Sequence, residues 1–191
     1  MDKGRLEAFS DRVIAVIITI MLLELKVPHA PTLVALSELW PVLLSCVLSF
    51  MYVGIYRNIQ QHMFQTVEKI DGRVMWANLH LLFWISLFSF TTAWLSENHF
   101  AAVPAALYGC VLLMSAIAWP ILARALIACN GSDGVLASAM RRDRKGKVSI
   151  MLYALAIALA FLNSWIACAL YAAVAMIWLV PDRRMEKVVT S

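Results

Sequence analysis

The chain has 191 residues, of which 62% are hydrophobic and 15% charged, and its mean hydropathy is +0.78. Soluble domains of this size rarely have such a composition, so an ordinary soluble protein is excluded and a polytopic membrane protein is indicated. The net charge of +4 is read as a membrane topology signal, and we expect no nucleic-acid partner. The four cysteines stand singly, without the paired spacing of a metal site, and we expect neither a bound metal nor a disulfide.

The first predicted span, at about residues 8–27, has an unusual beginning. Its apolar run, residues 13–23, contains one polar residue, Thr19. In lipid a single segment must satisfy its own backbone hydrogen bonds, so this span is predicted to be a helix. Ionisable groups near the membrane boundary are costly and are often functional, so we expect the functional residues on this helix. The polar residues at its predicted boundary are Arg5, Ser10 and Asp11.

Five further apolar stretches follow the first. The last two come from one run, residues 148–180, which as a single helix would be about 50 Å long. Because the hydrocarbon core is only ~30 Å thick, we divide this run at Asn163–Ser164. The predicted fold class is therefore all-α, with one transmembrane domain of six helices over residues 1–191. The predicted spans after the first are about 39–62, 74–95, 101–128, 148–163 and 165–180.

The distribution of lysine and arginine predicts the orientation of these spans. With six spans, only Lys26 lies on one side of the membrane, and all other basic residues lie on the opposite side or at the adjoining helix ends. Five spans would put Arg183, Arg184 and Lys187 of the tail outside, against the positive-inside bias. We therefore predict six spans with both termini cytoplasmic.

Several polar residues fall at a similar depth near the predicted cytoplasmic boundary. A buried carboxylate needs a cation or several hydrogen-bond donors. We therefore expect Asp11 to interact with Arg5, or with asparagine and histidine side chains of neighbouring spans. For Asn58 and His62, an ordinary interfacial role is an equally good interpretation. The residues of this predicted network on the second and third spans are Asn58, His62, Asn78 and His80.

The first span also carries an apolar stripe. At about 100° of rotation per residue, Val16, Ile20 and Leu23 share one side of the helix, with Thr19 at the edge of the stripe. Asp11 points well away from it. Contact with lipid or with neighbouring helices is the commoner role for such residues, and the helical spacing alone favours that interpretation.

The start of the first span resembles a known family signature. Arg5-x3-Phe9-Ser10-Asp11 is similar to the motif R-x3-F-S-D of the TMEM175 family of potassium channels. The similarity covers the first three spans well and the later three mainly by hydropathy. Its further segments are residues 23–28, 56–58, 78–84 and 91–94.

The resemblance implies a potassium-permeable cation channel, homotetrameric in bacteria, in the cell membrane. The first span of each subunit would line the central pore, with Val16, Ile20 and Leu23 as the hydrophobic constriction and gate. Thr19 would supply the hydroxyl layer tied to potassium preference. Potassium would be transient in the pore, and no cofactor is implied. The residues expected to form a structural network away from the conduction path are Arg5, Phe9, Ser10, Asp11, Asn58, His62, Asn78 and His80.

The chain also departs from the family pattern. Arg12 replaces a small residue and lies on the same side as Val16 and Thr19. Four arginines near the inner mouth would oppose the passage of cations unless they pair or extend away from the axis. The residues that stand where the family often has a tryptophan and histidines are Arg57, Gln60 and Gln61.

Two other functions are compatible with parts of the sequence. A proton-coupled secondary transporter could use Asp11 and His80 as a proton relay, although no inverted repeat is visible and the midplane holds hardly any ionisable group. A membrane scaffold without a permeation path would instead be a monomer or a dimer. An enzyme is not expected, because no paired carboxylates and no metal-ligand spacing are present in the sequence.

Overall fold

A computed structural model describes residues 3–28, 31–131, 135–141 and 143–179. Within these residues every regular element is an α-helix, which confirms the predicted all-α class. Three of the helices, α3, α4 and α5, are long and apolar enough to cross a membrane. The helices are α1 Lys3–Leu23, α2 Leu33–Ser37, α3 Trp40–Gln65, α4 Gly72–Glu97, α5 Ala102–Asn130, α6 Val135–Arg141, α7 Arg144–Ala160 and α8 Ser164–Leu179.

The predicted spans can be compared with these bounds. The bounds of helices α3, α4 and α5 lie within one helical turn of their predicted spans. The last apolar run is interrupted between Ala160 and Ser164, close to the division predicted from bilayer thickness. Two short helices, α2 and α6, were not expected. The basic residues of the tail, Arg183, Arg184 and Lys187, lie outside the described residues, as does the carboxyl terminus.

The end of α1 differs from the prediction. The helix stops at Leu23, whereas the first span was expected to continue to residue 27. The next residues form tight turns, in which the Leu25 amide donates to the Leu22 carbonyl at 3.1 Å and the Lys26 amide to the Glu24 carbonyl at 3.0 Å. Pro28 disfavours helical backbone in the residue before it, so a helix end ahead of this proline is expected on steric grounds.

Consecutive long helices run in alternating directions. The start of α1 meets the end of α3 through Asp11 and Arg57, and the end of α1 meets the start of α3, where the Cys46 thiol donates to the Met21 carbonyl at 3.6 Å. At the end of α5, Asn130 accepts from the Lys69 amide, in the turn between α3 and α4, at 2.8 Å. Helix α4 packs against α1, α3 and α5, and α7 packs against α5 and α8.

This alternation collects most of the positive charge at one end of the bundle, which we call the basic end. Among the lysine and arginine side chains that the structure describes, Lys26 alone lies at the opposite end. The side chains that define the basic end are Lys3, Arg5, Arg12, Arg57, Lys69, Arg73, Arg124, Arg144, Lys145 and Lys147.

The middle of the bundle contains buried hydroxyl groups, which we call the tyrosine core. Its members come from α3, α4, α5, α7 and α8 and are at most 2% exposed. The Tyr52 hydroxyl donates to the Tyr171 carbonyl at 2.6 Å and accepts from the Tyr153 hydroxyl at 3.2 Å. Hydroxyls in an apolar interior need such partners to offset the loss of water. The residues of the core are Ser49, Tyr52, Thr92, Tyr108, Tyr153 and Tyr171.

Close packing around this core depends on a glycine. The Tyr171 hydroxyl donates to the Ala105 carbonyl at 3.2 Å, and it passes directly over Gly109 of α5. A Cβ atom on Gly109 would overlap the Tyr171 hydroxyl and crowd Ile157. The absence of a side chain at residue 109 therefore lets α5 approach α8.

Candidate functional site

Helix α1 has one packed face and one exposed face. Its buried residues follow one another at intervals of four or three positions, which places them on one side of the helix against α3 and α4. The residues of this packed face are Leu6, Ser10, Ile14, Ile17 and Met21.

The predicted stripe lies on the exposed face of α1. Val16 is 55% exposed, Ile20 46% and Leu23 74% within the single chain. Thr19 is also exposed, and its hydroxyl donates to the Ala15 carbonyl at 2.9 Å. Because this bond uses the hydroxyl hydrogen, the oxygen lone pairs of Thr19 stay available to an outside group. The exposed face can contact lipid or other copies of the chain.

The packed face is fastened by a buried chain of polar side chains. Asn78 of α4 is fully buried, and its amide nitrogen donates to the Ser10 hydroxyl at 2.9 Å. Gln60 of α3 donates through its amide nitrogen to the Asn78 side-chain oxygen. Ser10 in turn donates to the Leu6 carbonyl at 3.0 Å. Three helices are thus joined at one point near the basic end.

An ion pair lies next to this chain of hydrogen bonds. The Asp11 carboxylate is 2.8 Å from Nε of Arg57 and accepts from a terminal guanidinium nitrogen of that residue at 2.9 Å. Arg57 also donates to Gln61 at 3.0 Å. The side chains of Asp11 and Arg57 are 41% and 29% exposed. We call Ser10, Asp11, Arg57, Gln60 and Asn78 the α1 anchor.

The structure therefore assigns Asp11 a different cation from the one expected. Arg5 was expected as one possible partner, but Arg5 is exposed and has no hydrogen bond or ion pair to Asp11. Arg5 precedes Asp11 by six residues, which on a helix turns the two side chains about 120° apart. Arg57 reaches Asp11 because the end of α3 runs beside the start of α1.

The remaining residues of the predicted network lie elsewhere. Asn58 and Phe9 are exposed, Phe9 to 43%. His62 is partly buried, and its Nδ1 has no partner among the described residues. His80 accepts from the Trp84 indole nitrogen at 2.9 Å on the same helix. Of the polar residues expected on the second and third spans, only Asn78 joins the α1 anchor.

Helical spacing could have shown this division. Arg57, Gln60 and Gln61 are spaced as one face of a helix, three and four residues apart. Asn58 and His62 are spaced four apart on a different face, turned by about 100°. The five residues are interleaved near the end of α3, so only their helical spacing separates the two faces.

The geometry also bears on a proton relay. In the described part of the chain no hydrogen bond links Asp11 to His80, since Asp11 is paired with Arg57 and His80 with Trp84. No group of three or more potential metal ligands is found in these residues. What the arrangement can do is hold α1 firmly by one face while its apolar face remains free.

Comparisons with known proteins point in one direction. Residues 5–88 match the family model described as endosomal/lysosomal potassium channel TMEM175. Over 187 residues the chain is 51% identical to a potassium channel from Chryseobacterium sp., covering 98% of this chain and 97% of that protein. Over 129 residues it is 34% identical to a potassium channel from Streptomyces collinus, covering 63% of each.

A solved structure is similar over nearly the whole chain. The crystal structure of a lysosomal potassium-selective channel TMEM175 homolog from Chamaesiphon minutus superimposes with a TM-score of 0.82. The two chains are 27% identical, and the match covers 93% of this chain and 96% of that one.

Proposed function

The chain belongs to the TMEM175 family of potassium channels, a family of multi-pass membrane channels and not of enzymes, and on this premise we propose that it is a homotetrameric potassium-permeable channel whose pore is lined by α1. The resemblance found in the R-x3-F-S-D motif is thereby confirmed at the level of the family. The observation that carries the proposal is the exposed stripe Val16, Ile20 and Leu23 on a helix whose other face is anchored.

The length of the apolar part of α1 supports a position beside water. The uncharged part of the helix, residues 13–23, is about 16 Å long, roughly half the ~30 Å hydrocarbon core. Arg12 directly precedes this stretch and is exposed. A charge at this place would be costly if it faced acyl chains. A short apolar ring between two water-filled vestibules avoids that cost, and in this arrangement Arg12 lies at the inner mouth with its side chain extended away from the axis, as the passage of cations requires.

We propose that the stripe forms the gate. From Val16 to Leu23 the helix rises by about 10 Å, so four copies would enclose three apolar layers about 4–6 Å apart. A narrow apolar passage of this kind excludes water and therefore blocks a hydrated ion until the helices separate. The exposed oxygen of Thr19, between the first two layers, would provide the polar contact that favours potassium.

The α1 anchor would fix the orientation of this stripe. A rotation of α1 by one residue position, about 100°, would turn the stripe away from the axis. The hydrogen bond between Ser10 and Asn78 and the ion pair between Asp11 and Arg57 oppose such a rotation because they hold the side of α1 away from the stripe. Their role in this proposal is structural, outside the conduction path.

We further propose six membrane crossings with both termini in the cytoplasm. The alternating helices and the gathering of positive charge at the basic end support this topology, since basic residues favour the cytoplasmic side. The channel would lie in the cell membrane with surrounding lipid as its solvent. It would require no cofactor, and potassium would be the permeant ion.

The test is potassium flux through purified protein in liposomes. Ile20→Ala should raise flux several-fold, because removing the side chain widens one apolar layer and admits water. The matched control is Leu22→Ala on the same helix, since Leu22 is similarly exposed, 50% against 46% for Ile20, but lies well off the stripe. Equal flux in the parent protein and in alanine variants of all three stripe residues would remove α1 from the pore.

A further inference from the structure

A cleft of about 430 Å³ lies at the basic end, between the last part of α5, the short helix α6 and the start of α7. This volume falls in the range of roughly 300–1,000 Å³ that small-molecule sites occupy. The lining residues that the structure describes all belong to α5, α6, α7 and the turn before α7, and none comes from α1. The cleft is therefore separate from the proposed pore.

Two cationic side chains border the cleft. Arg124 of α5 and Lys147 of α7 are both exposed, and neither forms an ion pair or hydrogen bond within the described residues. The acid in the lining, Asp143, caps the start of α7, where its carboxylate accepts from the Gly146 amide at 2.8 Å. Two cations thus face one carboxylate that already has a partner, so the cleft favours an anion.

Part of the apolar lining lies nearer the middle of the bundle than these cations, whereas Ile127 lies nearer the end of α5. Arg124 is about 9 Å from the end of α5, and Lys147 is about 4.5 Å from the start of α7. One turn further into the bundle, α5 supplies Trp119 and Pro120 and α7 supplies Ile150. Charge at the boundary followed by an apolar wall is the polarity profile of a phospholipid, with its headgroup above its acyl chains.

We propose that this cleft binds an anionic phospholipid, with its phosphate between Arg124 and Lys147 and one acyl chain against Trp119 and Ile150. A free phosphate ion would use only the two cations and leave the apolar wall uncovered. A zwitterionic lipid would cover the wall but bring no net charge to the cations. Basic clefts between helices at the cytoplasmic surface are suited to anionic headgroups for the same physical reason.

The experiment measures lipid retention by native mass spectrometry of the full-length protein. Phosphatidylglycerol and phosphatidylcholine with identical acyl chains are added in equal amounts. The unmodified protein should retain on the order of ten times more phosphatidylglycerol than phosphatidylcholine, because two basic side chains act on the phosphatidylglycerol headgroup. The double variant Arg124→Gln, Lys147→Gln should lose this preference.

The matched control removes the same charge at the same end of the bundle. Lys69→Gln with Arg73→Gln alters two exposed residues outside the cleft and should retain the preference for phosphatidylglycerol. An equal loss in both double variants would mean that general charge attracts the lipid and would overturn the site. Equal retention of the two lipids by the unmodified protein would overturn it as well.

Two further arms separate the remaining outcomes. Sodium phosphate added at constant ionic strength should leave phosphatidylglycerol bound, whereas displacement would identify a phosphate-ion site and overturn the lipid assignment. If the double variant does not fold, photoreactive phosphatidylglycerol is cross-linked to the unmodified protein and the labelled peptides are mapped. Labels in α5 and α7 near Trp119 and Ile150 would support the site, and labels confined to other helices would overturn it.

Discussion

The tyrosine core and the α1 anchor bury polar side chains in different ways. In the tyrosine core every member is uncharged and deeply buried, and its hydroxyls bond to partners on other helices. In the α1 anchor, buried amide and hydroxyl groups lie next to an ion pair, Asp11 and Arg57, that is partly exposed. The first arrangement joins helices packed on several sides, and the second holds a helix packed on one side only.

This difference separates stability from function. The members of the tyrosine core come from α3, α4, α5, α7 and α8 and none comes from α1, so a change there should lower the free energy of unfolding without turning α1. The α1 anchor includes Ser10 and Asp11 of α1 itself, so a change there should alter both stability and potassium flux. Variants in the two regions can therefore support or refute the assignment of flux control to α1.

The largest effect on stability is expected for Gly109→Ala. The added methyl group would overlap the Tyr171 hydroxyl and crowd Ile157, and overpacking of this kind costs about 1–3 kcal/mol. Flux per folded channel should stay unchanged. Thermal unfolding in detergent measures the first quantity and liposome flux the second. In the control Gly54→Ala the new methyl group meets no neighbouring atom, so that variant should be as stable as the parent or slightly more stable.

The second largest effect is expected for Asn78→Leu, which should lower the free energy of unfolding by about 2 kcal/mol. The change leaves Gln60 and Ser10 without the partner that joins them, and unsatisfied buried polar groups cost about 1–3 kcal/mol. Since α1 loses one of its two side-chain hydrogen bonds to α4 among the described residues, and keeps the one from Ser89 to the Ile17 carbonyl, flux should also change. The control is Asn98→Leu, at an exposed site near the opposite end. Unaltered flux in a folded Asn78→Leu protein would contradict the role given to the α1 anchor.

Tyr52→Phe should have the smallest effect of the three, about 1 kcal/mol. It removes one hydroxyl that bonds to the Tyr171 carbonyl and to Tyr153, while the ring packing is retained. Tyr56→Phe is the control, because the Tyr56 hydroxyl has no hydrogen bond among the described residues, and its loss should cost less. A change in flux for Tyr52→Phe would show that the tyrosine core, too, controls α1.

Much of the architecture could be predicted from hydropathy alone. Apolar runs and bilayer thickness gave the approximate bounds of α3, α4 and α5 and a break ahead of Ser164. The bond between Ser10 and Asn78 agrees with the expectation that polar residues at equal depth meet. The depth of a residue along its helix can be predicted from the sequence because each residue adds a fixed rise along the helix axis.

The rotation of one helix relative to its neighbour could not be predicted from the sequence. Arg57 rather than Arg5 pairs with Asp11, and Gln60 rather than Asn58 or His62 joins the buried network. These choices depend on how α3 is turned relative to α1, which is decided by the packing of many apolar side chains. The tyrosine core could not be predicted for the same reason, since its members are far apart in sequence and meet only after the helices pack.

The most direct test of the central claim is a cryo-EM map of the assembled protein in lipid nanodiscs. We expect a fourfold axis with the α1 helices innermost and with the side chains of Val16, Ile20 and Leu23 directed at it. In that arrangement no acyl-chain density contacts the stripe. A monomer or dimer, or a tetramer in which acyl chains cover these three residues, would contradict the proposed pore.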